Sequence, residues 1–97
     1  MDVEFKDDDV AELEIGPGDG GYSRGVTKAF RKTIGIIRAA PDERVFYKLQ
    51  SLRFEKLKGA RAHQYAMRLN DQWRLIVEME GAAPHKVVVV VAIEDYH

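Results

Sequence analysis

From His63 onward, hydrophobic and polar positions alternate with the period of a strand. Tyr65, Met67 and Leu69 fall on one side of the first run, and Gln64, Ala66 and Arg68 on the other. In the next run Trp73, Leu75, Val77 and Met79 oppose Arg74, Ile76, Glu78 and Glu80. This pattern predicts two half-buried strands. Asn70-Asp71-Gln72 between them is a turn-forming cluster. A loop of these three residues sets Leu69 opposite Trp73 and puts the apolar positions on one face. A slip by one residue mixes the faces, so the hydrophobic pattern enforces this register. The same register sets Arg68 directly opposite Arg74, where like charges cost a few tenths to about 1 kcal/mol. Two arginines held together call for an anion, either an acidic strand neighbour or a phosphate. A solvated pair with splayed side chains fits the pattern equally well.

The remaining elements follow from the same kind of reading. Lys86–Glu94 is Val-rich and apolar on both faces, as a central strand is when one face meets helix and the other meets more protein or a partner. Tyr22–Ala40 carries an apolar stripe of Val26, Ala29, Phe30, Ile34 and Ile37, and predicts an amphipathic helix stopped by Pro41. Its other side bears Lys28, Arg31, Lys32 and Arg38, a face that reads as solvated before it reads as a track for nucleic acid. Asp42–Gln50 predicts a second helical segment with Asp42 as N-cap. Leu52–Lys58 is ambiguous, with Leu52, Phe54 and Leu57 inward. Ahead of all these, Met1–Lys6 suits a short strand and Asp7–Ile15 a helix with carboxylates at its N-terminal dipole. The glycines of residues 16–21 form a loop and match no phosphate-binding fingerprint.

Ninety-seven residues suggest one domain with one modest core: an acidic segment over 1–21, helices over 22–50 and a sheet over 63–94. With no cysteine there is neither a disulfide frame nor a thiolate metal site. The adjacent acids Asp7, Asp8 and Asp9 lack the spaced ligands of a calcium loop, and no metal spacing links His63, His85 and His97, so no metal or other cofactor is expected. No stretch is long and apolar enough to span a membrane and no secretory signal is read, which makes the cytoplasm the expected location. The net charge of −1 hides an asymmetry: residues 1–21 carry −7 and residues 22–97 carry +6. That split suggests a basic working surface with an acidic appendage.

The run Phe54–Leu75 and the ending Asp95-Tyr96-His97 carry a resemblance. Leu57-Lys58-Gly59, Ala66-Met67-Arg68-Leu69-Asn70, Asp71-Gln72-Trp73-Arg74 and the terminal Asp-Tyr-His look like the HigB branch of the RelE/ParE toxin superfamily. The match covers roughly the C-terminal half of the chain. It implies a small α+β fold with two helices packed on a twisted, mostly antiparallel sheet of three to four strands. It also implies a type II toxin that cuts messenger RNA in the ribosomal A site without a metal and is silenced by a small antitoxin, usually of helix-turn-helix type. By the same resemblance Lys58, Arg68, Arg74, Asp95, Tyr96 and His97 fall on active-site positions, and Arg53, Lys56 and Arg61 are expected to contact RNA. The chain departs from the pattern in two ways. Glu55 stands where several relatives carry a histidine, and the chain is not strongly basic overall.

These residue types suit that chemistry. Metal-free RNA cleavage needs a base for the 2′-hydroxyl proton, cationic donors for the phosphorane, and an acid for the leaving 5′-oxygen. Arginines give bidentate phosphate contacts and Lys58 a point charge. His97 titrates near neutrality, and Tyr96 suits base stacking or proton donation. Trp73 reads as core, and His63 and His85 as bystanders. Two other readings stay open: a ParE-like inhibitor of DNA gyrase, and a catalytically degenerate RNA- or protein-binding module whose acidic N-terminus fills its own basic groove.

Overall fold

The computed structural model describes residues 1–95, so the roles expected of Tyr96 and His97 lie outside the described residues. Its elements run β1 (Asp2–Phe5), α1 (Asp8–Ile15), α2 (Arg24–Ala39), α3 (Arg44–Lys48), β2 (Glu55–Lys56), β3 (Gln64–Arg68), β4 (Trp73–Glu80) and β5 (Val87–Asp95). Short 3-10 turns lie at Gln50–Leu52 and Gly59–Arg61. The strands form one sheet in the order β1-β5-β4-β3-β2. Only β1 with β5 is parallel. The α+β class is as expected, but the element count is larger. Among the described residues there are five strands rather than three to four, and three α-helices rather than two. The N-terminal strand and α1 lie where the pattern placed them, and the element it did not offer is β2, a strand of only two residues, too short to show alternation.

Local signals explain where the helices begin and end. Asp7 caps α1 by accepting from the Asp9 amide at 2.8 Å, and Asp8 and Asp9 fill its first turn. Ser23 caps α2 through the Val26 amide, and Ala40 ends it just before Pro41. The second predicted helix is shorter than its pattern suggested, Arg44–Lys48 instead of Asp42–Gln50. Asp42 is not its N-cap residue, which is Glu43. The Asp42 carboxylate still accepts from the Arg44 amide at 2.9 Å and pairs with the Arg44 guanidinium, which holds its pKa down at about 2.

The α2 stripe of Val26, Phe30, Ile34 and Ile37 is fully buried against Met67, Leu75, Val77, Val88 and Val90 of the sheet. The opposite side of α2 is not simply solvated. Arg31 donates to the carbonyl oxygens of Leu13 and Gly16 at 2.8 Å, and Arg38 makes a two-pronged contact with Glu14 at 2.7 Å. The acidic segment is therefore strapped to the helical layer by the basic face of α2. It does not lie across the hairpin arginines.

The other face of the sheet carries no helix among the described residues. Its apolar floor, Ala66, Ile76 and Val89, is nonetheless buried. The neighbours on that face are long polar side chains: Arg74, Glu94, Gln64 and Glu78 along the ladders and Arg61 from the adjoining turn. Their alkyl stems cover the floor while their charged ends stay wet. This is why β5 reads as doubly buried although no second layer covers it. A bulge between the Ile76 and Val77 pairings leaves Val91 without an opposite residue, so Val90 and Ile93 both reach the core.

Glu78 ties this open face together. Its carboxylate accepts from Lys6 Nζ at 3.0 Å and from Gln64 Nε2 at 3.1 Å, and His63 lies 3.6 Å away. The hydrogen bonds from Gln64 and Lys6 hold its pKa below the usual carboxylate value. Charge-assisted hydrogen bonds, discounted for the exposure of Lys6, put the loss on Glu78→Gln at about 1–2 kcal/mol. Urea unfolding reads this loss. Because the native pKa is lowered, the gap between variant and wild type is complete above the unfolded carboxylate's pKa of about 4.3 and closes as pH falls through the native value.

Candidate functional site

The hairpin register is the one the hydrophobic pattern requires. Met67 pairs with Leu75, Arg68 with Arg74, and the Leu69 amide donates to the Trp73 carbonyl at 3.0 Å. Asn70 closes the turn, its side-chain oxygen accepting from the amides of Gln72 and Trp73 at 2.9 and 2.7 Å. Trp73 packs edge-on against Tyr22 with ring centres 5.5 Å apart, at the margin of the core as expected.

Arg68 and Arg74 thus stand side by side on the open face. Arg74 donates to the carbonyl oxygens of Asn70 at 2.5 Å and Trp73 at 3.2 Å, which fixes its stem over the turn. Arg68 ion-pairs with Asp71 at the hairpin tip. The hydrogen bond from Arg68, then the charges of Arg68, Arg53 and Arg74, keep the Asp71 carboxyl below its ordinary pKa. The anion called for by the paired arginines is thus, for Arg68, an acid of the turn itself.

A cavity of about 170 Å³ opens beside Arg74, lined also by Leu57, Arg61, Ala66, Ile76, Glu94 and Asp95. Ala66 and Ile76 form its floor. Asp95, at the end of β5, pairs with Trp73 and accepts from Gln72 Nε2 at 3.0 Å. Arg61 reaches the site from the turn after Gly59, a residue whose φ of +64° favours glycine. The Arg61 guanidinium spans both oxygens of Glu94 at 2.9 and 2.8 Å and also donates to Gln64. Glu55 lies on the same face, since it pairs with Ala66. A phosphate-sized anion beside Arg74 would therefore lie among guanidinium and carboxylate groups, the mixture that acid–base chemistry at a phosphodiester requires.

Not every predicted residue joins this cluster. Arg53 is exposed in a left-handed conformation with φ 45°, and its charge reaches Asp71. Lys58 is exposed at the start of the Gly59–Arg61 turn, near the rim, with no ion pair among the described residues. Lys56 pairs with Tyr65, so it points to the helical face, away from the arginine pair. Arg61 is committed to Glu94 rather than free for an incoming strand. Sequence reasoning overlooked Asp71, Gln72 and Glu94. The first two follow from the register itself, because Asp71 lies three residues after Arg68 at the hairpin tip. Glu94 needed the β4–β5 alignment, which the bulge at Val91 obscures.

A larger cavity, about 480 Å³, lies elsewhere, between α1 and the glycine-rich loop. Asp7, Asp9 and Glu12 line it, which makes it a poor seat for a phosphate. Among the described residues, no group of three or more acids and histidines is placed to hold a metal ion. No described helix is long and apolar enough to cross a membrane.

No protein-family model matches this chain, and no curated protein matches it in sequence. Solved structures do match it. A YoeB/ParE toxin from Agrobacterium tumefaciens superposes with a TM-score of 0.60 at 14% identity, covering 100% of both chains. The YoeB-YefM complex from Staphylococcus aureus gives a TM-score of 0.62 at 15% identity over 100% of this chain and 97% of the other. At such identities the likeness is one of fold: this chain is built on the small α+β scaffold of the YoeB/ParE toxins.

Proposed function

We propose that this chain is a single-domain type II toxin of the RelE/ParE superfamily, nearest to its HigB branch, acting in the cytoplasm as a ribosome-dependent, metal-independent messenger RNA endonuclease. The observation that carries the reading is the Arg68–Arg74 pair on the open face of a toxin-like sheet, with Arg74 lining a cavity that Asp95 also borders. The Asp-Tyr-His ending supports it by resemblance.

In this reading Arg74 and Arg68 grip the scissile phosphodiester and hold its growing charge. A proton leaves the ribose 2′-hydroxyl as its oxygen attacks phosphorus. The P–O5′ bond breaks, a proton passes to the 5′-oxygen, and a 2′,3′-cyclic phosphate remains. His97 is assigned one of the two proton transfers, with Glu55 facing the same site in place of the family histidine. Asp95, held by Gln72, is assigned a supporting role at the site, and Tyr96 that of stacking or proton-donating partner. Lys58 adds charge at the rim. Arg53 follows the RNA near the hairpin tip. The same reading gives Arg61 the role of wall, because its guanidinium is taken by Glu94. A protein partner is also proposed, a cognate antitoxin, since one of the structural neighbours was solved as a YoeB-YefM complex.

The reading of the acidic N-terminus as an internal plug draws no support from the fold, because no residue of 1–21 lines the cavity by Arg74. The test is induction in cells of wild type and His97→Ala, with primer extension on a translated reporter. Cuts within codons that disappear in the variant, and when initiation is blocked, are expected. Growth arrest without cuts would favour gyrase as the target.

A further inference from the structure

Asp71 is the charged residue at the site that the proposed chemistry leaves unused. The turn does not depend on it, because Asn70 supplies the hydrogen bonds that close the hairpin. Its side chain is 99% exposed, yet it reaches back three residues to ion-pair with Arg68. An exposed pair of this spacing adds little to stability. It does, however, sit where it relieves the repulsion between Arg68 and Arg74, which face one another across the ladder. A carboxylate offers a guanidinium what a phosphodiester offers, two anionic oxygens set for paired hydrogen bonds.

We infer that Asp71 is an internal phosphate mimic. It occupies the seat of Arg68 in the free protein, and an RNA phosphodiester enters by displacing it. This rests on the proposed reading of the arginine pair as the RNA phosphate site. The latch has a physical consequence on each side of the exchange. Free protein never presents two bare arginines, which limits adventitious binding to any polyanion. Bound RNA gains the Arg68 contact only after Asp71 swings into solvent, where its exposure makes the motion cheap. The apparent affinity for RNA is then the intrinsic affinity reduced by the fraction of molecules with the latch open.

The test is the binding of a fluorescent 2′-O-methyl RNA oligonucleotide, which cannot be cleaved, followed by anisotropy. Asp71→Asn is expected to bind about two- to tenfold tighter than wild type, the factor set by losing the exposed ion pair that closes the latch. Glu12→Gln removes the same charge far from the hairpin and is expected to leave binding near wild type. In an Arg68→Ala background, Asp71→Asn is expected to bring no gain. Equal tightening by Glu12→Gln, a gain that survives without Arg68, or no gain at all would each overturn the latch. A second readout needs no RNA. Inorganic phosphate should shift the Arg68 Nε–H resonance at lower concentration in Asp71→Asn than in wild type. Failure of RNA binding together with that difference would overturn the RNA reading and keep the latch. An identical phosphate response in both proteins would overturn the latch itself.

Discussion

Replacing Arg74 by alanine is expected to slow RNA cleavage by about 10²–10³-fold, the usual loss when one fixed donor to a developing oxyanion is removed. The reason lies in how the side chain is held. Two carbonyl oxygens of the turn, from Asn70 and Trp73, fix its guanidinium beside the cavity. A donor held this way does not have to reorganise as charge builds on phosphorus. Arg74→Lys keeps the charge and loses the planar fork, so it should recover only a small part of the rate. The fold should survive both changes, because Arg74 lies on the open face and the core residues Met67, Leu75 and Val77 are untouched. Single-turnover cleavage of ribosome-bound message, with circular dichroism as the folding control, measures the effect. Wild-type rates in the alanine variant would remove Arg74 from the chemistry.

Phe30→Ala is expected to cost about 3–5 kcal/mol, the range for deleting a fully buried aromatic ring. Phe30 is 0% exposed at the centre of α2 and meets the Phe5 ring at 6.5 Å. That contact links the helix to β1, the strand that enters the sheet in parallel with β5. Domains of this size are stable by only about 5–15 kcal/mol, so the loss takes a substantial share of that and, at the lower end, unfolds the variant outright. A urea titration should show a large fall in midpoint. Ile34→Val on the same stripe should cost only about 0.5–1.5 kcal/mol, because it removes one methyl group. A fall for Phe30→Ala no larger than that for Ile34→Val would mean that α2 does not anchor the core.

The hairpin was legible in the sequence because one face of it is buried and a one-residue slip would be ruinous. That single constraint placed Arg68 against Arg74 and Leu69 against Trp73 before any coordinates. The helix caps were less legible: Asp42 was the one read from the pattern and Glu43 holds that place, while Asp7 and Ser23 cap α1 and α2. Pairings across the whole chain were not legible. Nothing in Asp2–Phe5 names Val87–Val90 as its partner, and a parallel ladder leaves no turn between its strands as a clue. The extra residue at Val91 hides which side of β5 Glu94 faces, and with it the partner of Arg61. The side of the sheet that Lys56 faces was not legible, because β2 has only two residues and the side depends on its pairing with Tyr65. The basic face of α2 read as solvated because its acidic partner, α1, is separated from it by a glycine-rich loop.

The most direct test of the account is cleavage in a defined system: purified ribosomes carrying end-labelled message with an open A site, mixed with the protein and sampled over time. The account predicts a cut inside the A-site codon that leaves a 2′,3′-cyclic phosphate, slowed by about 10²–10³-fold in Arg74→Ala and abolished when ribosomes are omitted. Intact message with wild-type protein, or a cut that Arg74→Ala makes equally well, would contradict it.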